Sequence, residues 1–113
     1  MTMEPFGTRL TEALHRIGTP LCMGIDPHGG MIPPLFGNAG PAGSPDAIKV
    51  IGDFAMACLD AAKGRVAAIK PQVAFFEAHG PQGMQVLAEL QRAAIDAGIL
   101  VIIDAKRGDI GST

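Results

Sequence analysis

The sequence predicts an α/β fold in which a leading helix is followed by the order β-α-β-α-β, with all strands parallel. Three observations support this prediction. Short apolar runs alternate with longer segments whose apolar residues recur at helical spacing. The 15 glycines and 9 prolines cluster between these segments, where turns belong. Each apolar run is followed at once by an ionisable residue. Strands that alternate with helices form parallel sheets through right-handed crossovers, so residues 1–113 are predicted to form a single partial domain.

The leading helix is predicted over Phe6–Ile17, where apolar residues recur every three or four positions. Pro5 suits the first helical position and Gly18 the residue after the last. The first strand is predicted over Pro20–Ile25, a wholly apolar run of the kind that parallel sheets bury on both faces. The stretch Pro27–Pro45 is predicted to be a long loop, and loops of that length are usually functional or mobile.

The second helix is predicted to open with Ser44 as N-cap and Pro45 as its first residue. The second strand is predicted over Val66–Ile69, and Lys70 follows it directly. The apolar spacing of the helix predicts one buried face, which consists of Ile48, Ile51, Ala55, Cys58, Leu59 and Ala62.

The third helix is predicted to open at Pro81 and to end at Gly98 in the left-handed conformation of a helix cap. The third strand, Ile99–Ile103, is the clearest strand in the chain, and Asp104 follows it. Residues Ile110–Thr113 resemble the start of a further helix. The buried face predicted for the third helix is Met84, Leu87, Ala88, Gln91, Ala94 and Ile95, of which Gln91 is the least apolar.

Composition excludes several classes of protein. The formal net charge is −2 and there is no basic stripe, so we expect no nucleic-acid partner. No apolar run approaches the ~20 residues that span a bilayer, and the first residues lack the pattern of a signal peptide. Cys22 and Cys58 each lie within an apolar run, which favours small buried thiols over a disulfide or a metal site. These features predict a cytoplasmic protein without a membrane partner.

The three residues that follow the strands, Asp26, Lys70 and Asp104, are the first candidates for a functional site. In parallel βα folds ligands bind at the carboxyl edge of the sheet, because the βα loops meet there. Strand periodicity places each candidate on one face with small or apolar residues. These companions are Gly24 and Cys22 for the first, Ala68 and Val66 for the second, and Ile102 and Leu100 for the third. If these faces point outward instead, the charges are ordinary caps of strand ends.

Opposite charges also alternate in the segment after the third strand. Lys106 projects on the same side as Asp104 if the chain stays extended, and Asp109 lies just beyond Gly108. A solvated loop of mixed charge is the simpler interpretation. However, an unpaired charge that is buried costs several kcal/mol, so alternating signs are what a desolvated site requires.

These residues carry a resemblance to a known family. The segment 104–113, DAKRGDIGST, resembles the Asp-x-Lys-x-x-Asp signature of orotidine 5′-phosphate decarboxylases, and LVIIDAKRGDIGST resembles its bacterial branch. Leu21–His28 resembles the first strand of that family and Ile69–Glu77 the second. The resemblance implies the N-terminal portion of a (β/α)8 barrel that stops after the third strand. It also implies conversion of orotidine 5′-phosphate to UMP and CO2 without a cofactor or a metal.

The resemblance implies a catalytic role for four residues. Lys106 would lie beside C6 of the pyrimidine, stabilise the carbanion left by CO2 and deliver the proton. Asp104 and Asp109 would flank it, and Lys70 would complete an alternating Lys-Asp-Lys-Asp array. A reaction without a cofactor lacks an electron sink, so a fixed charge has to lie where negative charge develops.

Substrate binding and assembly are implied in the same way. Asp26 and Lys70 would hold ribose hydroxyls. Asp109, Ile110 and Thr113 would reach into the active site of the neighbouring subunit of a homodimer. The phosphate-binding residues that the resemblance implies do not lie within these 113 residues.

Two alternatives remain at this point. The chain could be a catalytically inert truncated half-barrel, and we expect the 113 residues alone to be inactive. It could also be a Mg-dependent sugar-phosphate decarboxylase or synthase of the same superfamily. Those enzymes carry a carboxylate where this chain has Lys70, and a cation at that position repels a metal.

Overall fold

The computed structural model describes residues 3–106, and its elements follow the predicted order with one added helix. Asp109, Ile110, Thr113 and the helix predicted to start at Ile110 lie outside the described residues. The helices are α1 (Phe6–Ile17), α2 (Pro45–Ala62), α3 (Val73–Glu77) and α4 (Gly80–Asp96), and the strands are β1 (Cys22–Ile25), β2 (Ala68–Pro71) and β3 (Leu100–Val101). The long loop between β1 and α2 contains two 3-10 turns, Gly29–Met31 and Pro34–Phe36.

The three strands form a parallel sheet in the order β1-β2-β3, which confirms the predicted topology. Gly24 lies opposite Lys70 in the register of the first pair. Pairing continues beyond β3, because the backbone N–H of Asp104 donates to the carbonyl of Pro71 at 3.1 Å and Gln72 forms a bridge with Asp104. β3 is therefore shorter than the predicted strand Ile99–Ile103, although backbone pairing with the second strand continues as far as Asp104.

The two faces of the sheet have different coverings. One face packs against α2 and α4, and fully burying each large apolar side chain there stabilises the fold by about 1.5–3 kcal/mol. The other face is covered by α1 near the start of β2 and β3, where Ala13 packs against Ala67, Ala68 and Leu100. Since α1 covers only this end, the carboxyl end of the same face stays open to charged residues. The main core between sheet and helices includes Ile25, Ile51, Leu59, Ile69, Phe76 and Leu90.

The caps predicted at Ser44, Gly18 and Gly98 are confirmed, whereas Pro5 precedes α1 as its N-cap residue and is not its first helical residue. Ser44 caps α2, because its hydroxyl oxygen accepts a hydrogen bond from the backbone N–H of Ala47 at 3.2 Å. Gly18 ends α1 at φ 82°, and Gly98 follows α4 at φ 77°. Left-handed backbone of this kind favours glycine, since other residues are strained there.

The prediction that β1 is buried on both faces is wrong. Cys22 is exposed and Leu21 is 60% exposed. β1 lies at one side of the described sheet, and the α1 contacts lie on β2 and β3 instead. The expected pair of buried thiols is wrong for the same reason. Cys22 is open to solvent, whereas Cys58 is half-buried and its burial raises the pKa of its thiol.

The buried face of α4 is rotated by about one residue from the prediction. The buried residues are Gly83, Leu87, Leu90 and Ala94. Met84 and Ile95 are 37% and 64% exposed. The rotation arises because α4 packs on α3 as well as on α2, and Gly83 forms the close contact with α3.

The prediction that Val66 lies on the same face of the sheet as Lys70 is also wrong. The chain bends at Ala67 before β2 begins, so Val66 joins the core beneath α2 and α4 rather than the face of Lys70.

Within residues 3–106, no helix has the length and apolar character that would be needed to cross a bilayer.

Candidate active site

The carboxyl edge of the sheet brings the predicted polar residues onto one face. Gly24 pairs with Lys70, so their side-chain positions point the same way. A Cβ atom built on Gly24 would lie 4.0 Å from Oδ1 of Asp26, which places that carboxylate on the same face. Lys70 in turn contacts Asp104 of the third strand. The predicted common face of Asp26, Lys70 and Asp104 is therefore the one observed.

Asp104 lies between two lysines. Nζ of Lys70 is 3.5 Å from Oδ2 of Asp104, and Nζ of Lys106 donates a hydrogen bond to the same oxygen. The Asp104 side chain is 15% exposed, whereas both lysine side chains are 47% exposed. The structure thus brings together three of the four members of the predicted array, and the fourth, Asp109, lies outside the described residues.

The two lysines control the charge of Asp104. The hydrogen bond from Lys106 lowers the pKa of the Asp104 carboxyl below its usual range, burial opposes this shift, and attraction to Lys106 and Lys70 adds to it. The carboxylate is therefore ionised at neutral pH. Its negative charge attracts the ammonium groups of Lys70 and Lys106 and keeps both at this edge of the sheet.

Asp26 stands apart from this cluster within residues 3–106. It is exposed at the end of β1, and no hydrogen bond joins it to Lys70 or Asp104 in this part of the chain. Of the predicted substrate-binding residues, only Asp26 and Lys70 are therefore placed. Ile110 and Thr113 lie outside the described residues.

The loop after β1 forms the wall beside this edge. It lines an open groove with a volume of about 680 Å³ within residues 29–40. Neither that groove nor a smaller one of about 260 Å³ against α3 contains Lys70, Asp104 or Lys106. We assign the candidate site to the charged edge, because paired charges converge there on the carboxyl ends of the strands.

Two histidines connect this loop to the next βα connection through contacts that no sequence pattern predicts. The ring of His28 lies 5.6 Å from the ring of Phe75 in an edge-on geometry. Nδ1 of His79 accepts a hydrogen bond from the backbone N–H of Gly43 at 2.9 Å. These contacts hold the loop residues that follow Asp26 against the segment that follows Lys70.

We expect the stability of the protein to fall in acid because of His79. Nδ1 of His79 accepts a hydrogen bond from the backbone N–H of Gly43, so this nitrogen carries no proton in the fold. Burial also lowers the pKa of His79 below its usual value of about 6.5. A histidine whose pKa is lower in the folded state makes its full contribution to the free energy of unfolding above about pH 6.5. That contribution is lost as the pH falls through the folded pKa. Thermal unfolding between pH 7.5 and pH 5 measures the loss.

The matched variants are His79→Asn and His15→Asn. The asparagine oxygen at position 79 can accept the Gly43 N–H without titrating, so the acid-dependent loss is expected to shrink in that variant. His15 is exposed on α1, and its replacement is expected to leave the pH dependence intact. An equal pH dependence in His79→Asn and the unmodified protein would refute the role of His79.

The fold and the site together define a class of protein. The sheet is parallel, its charged groups lie at the carboxyl edge, and a helix covers the other end of the same face. This arrangement is that of the first strands of a (β/α)8 barrel, in which the active site lies at the carboxyl edge. Comparison with known proteins identifies the particular family. The family model described as "Orotidine 5'-phosphate decarboxylase / HUMPS family" matches residues 19–113, and the chain belongs to this family.

Individual relatives agree with this assignment. The chain is 43% identical over 112 residues to the orotidine 5′-phosphate decarboxylase of Myxococcus xanthus, covering 99% of this chain and 36% of that protein. It is 45% identical over 111 residues to that of Streptomyces coelicolor, covering 98% of this chain and 37% of that protein. The chain therefore spans somewhat over a third of the length of these curated relatives.

Solved structures show the same fold. A crystal structure from Streptomyces avermitilis has a TM-score of 0.74 at 42% identity and covers 99% of this chain and 36% of its own. The structure of Leishmania donovani UMP synthase has a TM-score of 0.68 at 31% identity and covers 96% of this chain and 20% of its own. The predicted fold, the N-terminal portion of a (β/α)8 barrel, is confirmed.

Proposed function

We propose that the gene product containing this chain is an orotidine 5′-phosphate decarboxylase, which converts orotidine 5′-phosphate to UMP and CO2 in pyrimidine synthesis. The observation that carries the proposal is the placement of Asp104 between Lys70 and Lys106 at the carboxyl edge of the sheet. The names of the curated relatives support the same activity.

The proposed chemistry requires no cofactor. The bond between C6 and the carboxylate carbon breaks, CO2 leaves, and the electron pair stays on C6. The ammonium of Lys106 lies beside that carbon, stabilises the negative charge and transfers a proton to it. Lys106 then regains a proton from solvent. Asp104 holds the ammonium in place before the reaction, so little reorganisation is needed when the charge develops.

Magnitudes show what the lysine supplies. Two unit charges about 4 Å apart attract by about 4 kcal/mol at an effective dielectric constant near 20. That is a fraction of the barrier reduction that enzymes achieve, which is roughly 8–23 kcal/mol. The remaining stabilisation comes from preorganisation and from binding energy of remote parts of the substrate, above all its phosphate.

The proposal extends to binding, assembly and compartment. Asp26 and Lys70 hold ribose hydroxyls from the same face of the sheet. Asp109, Ile110 and Thr113 complete the site of the neighbouring subunit in a homodimer. Both cysteines are free thiols, which is consistent with the reducing cytoplasm in which we place the protein.

The position of Lys70 argues against the Mg-dependent alternative. A sugar-phosphate enzyme of that type needs an anionic ligand at the end of β2. Here the residue at that point is a lysine whose Nζ lies 3.5 Å from Asp104. The Lys70 ammonium would compete with a metal ion for the carboxylate of Asp104.

The test uses the complete gene product that contains this chain. Purified protein is mixed with orotidine 5′-phosphate, and the formation of UMP is followed by chromatography with and without EDTA. We expect UMP to form at the same rate in both samples. Absence of UMP would refute the proposed activity, and a rate abolished by EDTA would favour the metal-dependent alternative.

A further inference from the structure

Gln72 is a polar residue that the proposed mechanism does not use. It follows β2 directly, is 5% exposed, and is the only buried residue with a polar side chain between residues 3 and 106. Its Oε1 atom is shielded from solvent and has no hydrogen-bond partner within the described part of the chain. A buried amide oxygen left unpaired costs about 1–3 kcal/mol, so its position needs an explanation.

The register of the sheet places Gln72 in the middle of the candidate site. Ile25 pairs with Pro71, so the next residues along the two strands, Asp26 and Gln72, are neighbours. Gln72 also forms a parallel bridge with Asp104. Neighbours in a parallel pair direct their side chains to the same face. The carboxamide therefore lies in one row between the two carboxylates, on the face that also carries Lys70.

The backbone fixes this position. The N–H of Gln72 donates to the carbonyl of Ile25 at 3.1 Å, and the N–H of Val73 donates to the carbonyl of Asp104 at 2.9 Å. Both neighbouring strands thus hold the backbone of this residue at the carboxyl edge of the sheet. A polar group that is buried and unpaired beside two carboxylates is arranged for a ligand rather than for the fold.

We infer that Gln72 is a specificity-determining residue that hydrogen-bonds a hydroxyl of the substrate's sugar. The row Asp26, Gln72 and Asp104 presents acceptor oxygens, and adjacent hydroxyls of a ribose supply donors to such a row. A carboxamide offers both an acceptor and donors, and a hydroxyl can meet either one. This inference rests on the proposed function, since it assigns one further contact to the same nucleotide.

The test compares the complete gene product with its Gln72→Met variant, which has a similar length and lacks polar atoms. For each protein, kcat/KM is measured with orotidine 5′-phosphate and with its 2′-deoxy and 3′-deoxy analogues. A site built to hydrogen-bond a hydroxyl rejects the analogue that lacks it, because the protein group is then left unpaired. We expect Gln72→Met to reduce the preference for the ribonucleotide over at least one analogue by about ten- to a hundredfold.

Two controls separate binding from folding. Gln85→Met changes an exposed glutamine of α4, and it is expected to leave the preference unchanged. The unfolding temperature of Gln72→Met is expected to equal or exceed that of the unmodified protein, because an unpaired buried amide is removed. Gln72→Leu is expected to behave in the same way and gives a second apolar replacement.

The outcomes distinguish the two proposals. An unmodified protein that does not decarboxylate orotidine 5′-phosphate would refute the proposed function. An active protein whose preference is the same in Gln72→Met, Gln72→Leu and the unmodified form would overturn only the assignment of Gln72. Unfolding of both apolar variants under the assay conditions would also overturn it, since the carboxamide would then hold the fold.

Discussion

Replacing Lys106 by alanine is expected to lower the turnover of orotidine 5′-phosphate by at least about 10⁴-fold. A positioned proton donor contributes roughly 10²–10⁴ to rate, and a preorganised electrostatic contact contributes roughly 10²–10³. Lys106 is proposed to supply both to the same carbon atom. Its ammonium is held by Asp104 in the absence of substrate, so its charge is already in position when the reaction begins.

Some nucleotide binding is expected to persist in Lys106→Ala, since the sugar and phosphate are held elsewhere. The measurements are turnover under saturating substrate and UMP affinity by calorimetry. Lys49→Ala is the matched control, because Lys49 is also paired with an aspartate, Asp53, at 2.6 Å, but on the exposed surface of α2. Exposed pairs contribute about 0–1 kcal/mol, so this variant is expected to turn over normally. Near-normal turnover in Lys106→Ala would refute the proposed role.

Most of the fold could be predicted from local signals in the sequence. Ser44 and Gly98 marked helix ends because capping depends on one side chain or on one backbone conformation. The parallel order followed from the alternation of elements. Asp26, Lys70 and Asp104 could be assigned to one edge because strand periodicity and strand direction are local properties.

The failures have a common physical cause, which is that they depend on contacts between distant segments. The five residues of α3 are too few to show a helical period, and a helix this short forms only when tertiary packing stabilises it. The exposure of Cys22 depends on where α1 packs. The hydrogen bond of His79 to Gly43 joins residues 36 positions apart. Gln72 had a local signal, since it continues the strand period two residues after Lys70.

Replacing Gly83 by alanine is expected to destabilise the protein strongly. A Cβ atom at this position would lie 2.0 Å from the carbonyl oxygen of Phe76 and 2.8 Å from Cβ of His79. The first of these is backbone, so α3 and α4 would have to move apart. Overpacking of a core costs about 1–3 kcal/mol and occasionally more, whereas alanine gains up to about 1 kcal/mol in helix propensity. We expect a net loss of about 2 kcal/mol, measured by urea unfolding.

Gly52→Ala provides a control with the opposite sign. Gly52 lies inside α2, and the atom nearest to its added Cβ is Cγ1 of Val86 at 3.7 Å, an ordinary contact. That variant is expected to gain up to about 1 kcal/mol from helix propensity alone. The difference between the two variants isolates the close approach of α3 and α4. Because α3 follows Lys70 and Gln72 directly, Gly83→Ala is also expected to weaken nucleotide binding. Equal stability of both alanine variants would show that the two helices do not depend on this contact.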